Sequence, residues 1–454
     1  MRAPATDRGR LLLVLAAVTA VTVFTATVPL LRDWFDLRVY HGAVDSWIHD
    51  GGRLYDYRVP GTAYGFTYPP FAAVTMLPMA LLGLRAAIAV GLLLNLAALV
   101  VVVRLLTGRS WRRYGWYGCA LGACALALFE PLRDTFSFGQ VNLLLLALVL
   151  VDAWLLATGR ERWAGIGIGL AAAVKLTPAL FIGLLLVARR GRAAAVATVV
   201  ALTATGFAAL VAPDASRFYW TDAMWDTTRV GRLDYVSNQS LQGVLARLGE
   251  TDRAVWAVAV LLTLGVWAVR ARRAAAAGDW AGAFALTALT ACLVSPITWV
   301  HHLVWLLPSF AVLVRTGHPR IAGALYAVLC TSVVWLWFDD ASGIDGFLGS
   351  NTYTWITLGL LLWLPVAQSR AARPNRARSA NAIEPAPSPA APRTAQVSSQ
   401  PGPAGPAGSG DTAAATGAAS GPGRGFTRSA SSEPTGSTRP AAPNPQSSSA
   451  RASS

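Results

Sequence analysis

Long apolar runs separated by short basic turns fill most of the first 370 positions. They lie near 86–106, 115–131, 140–157, 163–188, 193–212, 253–270, 280–297, 299–314, 321–338 and 351–368. Their lengths approach the roughly 20 residues of a helix that crosses a bilayer. A further run, 11–31, follows Arg2, Arg8 and Arg10. It is too long for a signal-peptide core and no small-residue cleavage site follows it, so it reads as an uncleaved first span. The run 69–84 contains Pro69, Pro70 and Pro78 and reads as re-entrant or interfacial. The run 163–188 reads as two short spans broken around Lys175-Leu176-Thr177-Pro178, because proline disfavours a continuous helix there.

With those two assignments the clusters Arg109/Arg112/Arg113, Arg160/Arg162, Arg189/Arg190/Arg192, Arg270/Arg272/Arg273 and Arg315/Arg320 all fall on one side. The positive-inside rule makes that side cytoplasmic. The expected fold is therefore an all-α polytopic membrane protein of about twelve transmembrane helices, occupying residues 1–369, with both termini in the cytoplasm. From about 370 the chain turns to Pro, Ala, Ser, Gly and Arg. Such a segment buries too little apolar surface to offset its ordering entropy, so 370–454 is expected to be a disordered cytoplasmic tail.

Composition agrees with this pattern. A 54% hydrophobic, 13% charged chain with mean hydropathy +0.46 excludes an ordinary water-facing globule. The net charge of +15 comes from 38 basic against 23 acidic residues. The basic residues sit between apolar runs with no aromatic-basic face, which points to membrane lipids and away from nucleic acid. Cys119, Cys124, Cys292 and Cys330 lie inside apolar runs without metal-type spacing, so neither a disulfide framework nor a zinc site is indicated.

The acids concentrate in the loops 32–70, 131–139, 213–252 and 339–350, on the side opposite the arginine clusters. Asp36, just after the first span in a loop dense with aromatics, suits a general base at a membrane-surface pocket. Any single acid in these loops is otherwise a solvated charge. Lys175 is the only lysine among 38 basic residues. A charge between two apolar half-spans usually faces a cavity or a partner, and a compact ammonium suits a phosphate; a snorkelling lysine at a hairpin tip is the alternative. His301 and His302 are adjacent and project on different helix faces, so they are not the i, i+4 pair of helical metal ligands. One of them can bind phosphate or move a proton, and interfacial packing is the other reading. Gln140, Asn142, Asn238 and Gln239 place amides at span mouths, where they can bond sugar hydroxyls or phosphate oxygens, or other helices. Tyr68, in Phe66-Thr67-Tyr68-Pro69-Pro70-Phe71, joins them as a substrate-binding candidate. The chain has no P-loop, serine nucleophile elbow or protease metal motif, and no metal ligand set is assigned.

At these residues the chain resembles glycosyltransferase family 87, the actinobacterial membrane enzymes with the GT-C fold that use polyprenyl-phosphate sugars. The resemblance rests on Asp36-Leu37-Arg38-Val39-Tyr40, Leu54-Tyr55, the 66–71 segment, Gly139-Gln140-Val141-Asn142, Lys175-Leu176-Thr177-Pro178, Asn238-Gln239-Ser240-Leu241 and Ser295-Pro296 with His301-His302. It covers residues 10 to 368 and leaves out the tail. It implies a lipid-linked donor and a glycolipid acceptor, no nucleotide cofactor, Asp36 as the base, His301 or His302 near the donor phosphate, and inversion at the sugar. The family includes α-1,2-mannosyltransferases acting on phosphatidylinositol mannosides, and arabinofuranosyltransferases. Mannosyl transfer on the outer face of the plasma membrane is the leading expectation and arabinosyl transfer the second. A transporter or flippase of polyprenyl-linked lipids is a third reading, disfavoured because its ionisable groups would be needed near the membrane midplane.

Overall fold

The computed structural model describes residues 6–27, 33–108, 115–250 and 252–367, and its regular structure there is helical throughout. Arg109, Arg112, Arg113 and the tail from 370 lie outside the described residues. Helix α1 (Asp7–Thr27) is apolar, and the hydroxyls of Thr25 and Thr27 bond back to Val21 and Val23 carbonyls of the same helix. Next come α2 (Phe35–His49) and α3 (Pro70–Met76), the latter opened by proline at its first turn, where the missing N–H costs nothing. The long α4 (Leu84–Thr107) follows. Then α5 (Gly115–Leu128) and α6 (Glu130–Phe138) meet at a 73° bend, because Pro131 cannot continue the hydrogen-bond ladder of α5.

Gly139, at φ 72, ends α6 and lets the chain turn into α7 (Asn142–Ala157). Helices α8 (Ile166–Val174) and α9 (Leu180–Val187) flank an extended Lys175, at φ −148 and ψ 133, with Pro178 in the turn after it. The chain continues through α10 (Gly191–Val211), the short α11 (Pro213–Phe218) and α12 (Leu241–Arg247), then α13 (Arg253–Ala276) and α14 (Trp280–Val294). It finishes with α15 (Leu307–Arg315), α16 (Pro319–Cys330), α17 (Gly343–Ser350) and α18 (Thr352–Trp363).

Helix α14 is buried nearly all round, as its uniformly apolar sequence requires. Its two buried threonines stay satisfied, Thr287 and Thr290 donating to the carbonyls of Ala283 and Leu286. Around it α4, α7, α8, α9, α13, α15 and α18 share one apolar core. A smaller core built from Val39, Tyr40, Tyr55, Phe66, Ala72 and Tyr219 joins α2, α3 and the chain between them into a cap. Arg190 lies over the Trp280 ring at 5.2 Å, Asp279 pairs with Arg315 at 2.9 Å, and Arg270 donates to the Leu361 and Leu364 carbonyls. Arginines from three of the clusters therefore gather at one end of the bundle.

Four helices, α1, α4, α10 and α13, are long and apolar enough to cross a membrane, and the bent α5–α6 pair makes a fifth if taken as one span. The other apolar helices are shorter, from 10 to 17 residues. Several expected boundaries move. The stretch 131–139 is not a loop: it is α6, with Asp134 1% exposed and Glu130 fully buried. Glu130 survives burial by accepting Trp335 Nε1 at 2.6 Å and the Tyr353 hydroxyl at 2.5 Å. The run 299–314 begins as a 3₁₀ turn, Val300–Leu306, before α15. The run 321–338 is broken after Cys330, where Ser332 adopts φ 59. A second ionisable group in the apolar runs, Asp152, is buried within α7. Its Oδ2 accepts the Ile168 N–H at 2.7 Å, satisfying one of the donors left open at the start of α8.

Helix α8 touches its neighbours backbone to backbone. A Cβ on Gly165 or Gly169 would collide with the Ala193 or Ala197 carbonyl of α10, and one on Gly167 with the Leu148 carbonyl of α7. Gly169→Val should therefore force α8 and α10 apart, costing about 1–3 kcal/mol and lowering the thermal midpoint of the detergent-purified protein. An unchanged midpoint would show that the contact is not a tight one.

Candidate active site

The site forms where the cap meets the bundle. Trp34, in a left-handed conformation at φ 48, donates its N–H to the Ser137 carbonyl at 2.8 Å and so seats the start of α2 on the end of α6. That places Asp36, in the first turn of α2, beside the Gly139 turn. Gln140 Nε2 donates to Asp36 Oδ2 at 2.5 Å. The Gln140 Oε1 in turn accepts from the Tyr68 hydroxyl at 3.0 Å and from Asn142 Nδ2 at 3.2 Å. Tyr40 donates to the Tyr68 oxygen at 3.0 Å.

The network runs on to a cation. Lys175 Nζ donates to Asn142 Oδ1 at 3.1 Å, lies 3.4 Å from the Tyr68 hydroxyl and sits over the Tyr68 ring at 5.0 Å. Its third neighbour is His302 Nε2, at 2.8 Å. The other ring nitrogen, Nδ1, accepts the Trp299 N–H at 3.1 Å, which fixes the ring so that Nε2 faces Lys175. The extended backbone at Lys175 is what aims its side chain inward. A regular helix through 163–188 would carry it round to a helix face.

Most of these groups line a cavity of about 220 Å³, with Asp36 and Tyr68 from the cap and Gln140, Lys175, Ser295 and His302 from the bundle. Arg229 lines it as well, with its guanidinium donating to the Tyr55 carbonyl at 2.6 Å and stacked over Phe218 at 5.3 Å. Burial pushes the Asp36 carboxyl up to about 6, against the pull of the Gln140 hydrogen bond and the Lys175 charge. A carboxyl in that range is still a carboxylate at neutral pH and holds a proton more readily than an exposed aspartate, which is what proton abstraction requires. Among the described residues no group of three His, Cys, Asp or Glu side chains gathers as a metal site.

Of the residues singled out by sequence, Asp36, Tyr68, Gln140, Asn142, Lys175 and His302 come together. His301, Asn238 and Gln239 do not. His301 is buried edge-on against Phe138 at 5.2 Å, and its carbonyl accepts the Thr135 hydroxyl. Asn238 bonds the Leu233 and Pro296 carbonyls and the Thr298 N–H, while Gln239 bonds the Val236 and Ser350 carbonyls and the Thr354 N–H. Both amides are spent inside the protein, and Asn238 holds in place the segment 295–302 that carries His302. Arg229 was missed in the sequence reading because one arginine in a long polar loop carries no pattern; only folding brings it to the cavity.

If Gln140 holds the Asp36 carboxylate as described, Gln140→Leu should shift the protonation midpoint of that carboxyl upward by about one pH unit. An infrared titration of the carboxyl band, subtracting Asp36→Asn, reads this directly. No movement would remove Gln140 from the network.

Residues 66–296 match the sequence profile of glycosyltransferase family 87. A polyprenol-phosphate-mannose-dependent alpha-(1-2)-phosphatidylinositol pentamannoside mannosyltransferase of Mycobacterium tuberculosis is 35% identical over 344 residues, 72% of this chain and 79% of that protein. Its counterpart in Mycolicibacterium smegmatis is 36% identical over 327 residues, 69% and 77% of the two chains. A polyprenol-phosphate-mannose-dependent alpha-(1-2)-phosphatidylinositol mannoside mannosyltransferase of M. tuberculosis is 35% identical over 322 residues, 66% and 74%. No solved structure matches the chain. The extent of both matches establishes that this chain belongs to glycosyltransferase family 87.

Proposed function

We propose that this chain transfers mannose from polyprenyl-phosphate-mannose to a lipid-linked mannoside, forming an α-1,2 linkage with inversion. The observation that carries the reading is the 220 Å³ cavity lined together by Asp36, Lys175, His302 and Arg229. Asp36 takes the proton of the acceptor hydroxyl as its oxygen bonds the anomeric carbon. The bond from that carbon to the phosphate oxygen breaks, and the electron pair leaves with polyprenyl phosphate. Lys175 and Arg229 offset the charge on the departing phosphate, and His302, 2.8 Å from the Lys175 nitrogen, positions that nitrogen. One displacement converts a β-linked donor into an α-linked product. The relatives named for a polyprenol-phosphate-mannose donor and phosphatidylinositol mannoside acceptors support this choice of sugar and acceptor.

The reading extends to topology: about twelve spans, both termini cytoplasmic and the cavity on the outer face. What supports it is the gathering of Arg190, Arg270 and Arg315 at one end of the bundle, as the positive-inside rule asks of a cytoplasmic end.

Membranes carrying the intact protein should move radiolabelled mannose from synthetic decaprenyl-phosphate-mannose onto phosphatidylinositol mannosides, and Asp36→Asn should slow this by about 10²–10⁴-fold. Label carried only from decaprenyl-phosphate-arabinose would overturn the choice of sugar, and silence with both donors would favour a lipid transporter. Because Asp36 works as a carboxylate, the rate should fall as pH drops through about 6. A rate flat across that range would assign the proton transfer to another group.

A further inference from the structure

A second cavity, of about 880 Å³, opens between α4 and α5 and is closed at one end by α6. Its size lies within the roughly 300–1,000 Å³ typical of ligand sites. The walls are mostly apolar, from residues such as Leu96, Val100 and Leu126, with Arg104 and Thr107 also lining it, and the small Gly118 and Gly122 widen it on the α5 side. Leu96 and Val100 are exposed on the surface of α4, so the groove is open toward the surrounding membrane. At the α6 end stands Arg133, only 7% exposed. Its Nη2 donates to the Ser332 hydroxyl at 3.0 Å and its guanidinium lies 4.9 Å from the centre of the Phe24 ring of α1. Among the described residues its Nε and Nη1 have no hydrogen-bond partner. A buried guanidinium with two unspent donors at the head of a long apolar groove calls for an anion attached to a hydrocarbon chain.

We propose that this groove binds the lipid anchor of the acceptor, with the acceptor's phosphodiester at Arg133 and a fatty-acyl chain between α4 and α5. The proposal rests on the mannosyl-transfer reading above, and distance selects the acceptor over the donor. The donor's phosphate is bonded directly to the reacting sugar carbon, which must come within roughly 3–3.5 Å of the hydroxyl that Asp36 activates. The donor phosphate therefore belongs beside Lys175 and His302. Arg133 lies seven residues before Gln140, roughly 10 Å back along α6 at 1.5 Å per residue, too far for that phosphate. It is well placed for a phosphodiester separated from the reacting hydroxyl by an inositol and mannose units.

The test uses the full chain in detergent micelles with two variants. Arg133→Gln removes the cation, and Gly122→Leu fills the groove from a position where an added Cβ meets no atom within 4 Å. Both should raise the KM for phosphatidylinositol dimannoside about tenfold or more while leaving the KM for decaprenyl-phosphate-mannose in place. Equilibrium binding of labelled phosphatidylinositol dimannoside, which needs no turnover, should weaken by a similar factor, and monodisperse elution with an unchanged thermal midpoint certifies the fold of each variant. A raised donor KM would hand the groove to the polyprenyl chain, and folded variants that move neither constant nor binding would leave it to bulk phospholipid; either overturns the proposal. Wild-type protein that binds the acceptor through Arg133 yet transfers no mannose would sink the mannosyl-transfer reading and leave the groove standing.

Discussion

The hydrogen bond from the Gln140 amide to the Asp36 carboxylate joins two parts of the chain that have little else in common. Asp36 belongs to a cap of aromatic side chains, and Gln140 to the turn between two apolar helices. Without this bond the carboxylate would have only the Lys175 charge to offset its burial and would be pushed further toward neutralisation. With it, the carboxyl is held at about 6 and stays ionised at neutral pH. The bend at Pro131 and the positive φ of Gly139 exist, in effect, to bring one amide to that point.

The same constraint governs other polar groups in the bundle. Glu130 is held by a tryptophan and a tyrosine from the far end of the sequence, and Asp152 by backbone donors of the next helix. Asn238 and Gln239 are consumed by carbonyls and amides of neighbouring segments. Lys175 finds Asn142, Tyr68 and His302. In an apolar surrounding a polar side chain is either satisfied by the protein or kept for a ligand. The two unspent donors of Arg133 fall in the second class.

On the proposed reading, Asp36, Lys175 and Arg133 divide the work of handling two lipids. A glycosyl transfer between lipid-linked partners needs two phosphates at unequal distances from the reacting carbon, one adjacent and one several sugars away. Lys175 stands inside the catalytic cavity and Arg133 at the head of a separate groove, on either side of the α6–α7 turn. Two cations at two depths match that inequality, and a single shared phosphate site would not.

By itself the sequence determined the helical, membrane-type character of the chain, because apolar runs and arginine clusters are local patterns that need no partner to be read. The break at Lys175 was legible for the same reason: an extended residue before Leu-Thr-Pro is dictated within a few positions. Asp36, Gln140 and Lys175 were visible as polar residues out of place in an apolar setting. Which polar residues share the cavity was a decision of the tertiary structure, since His301 and His302 differ only in the rotation of one residue along a 3₁₀ turn. Arg229 and Arg133 were beyond the sequence for a related reason. An arginine in a polar loop, or in a stretch read as loop, looks solvated until packing removes the water around it, and that removal is a property of neighbours scores of residues away.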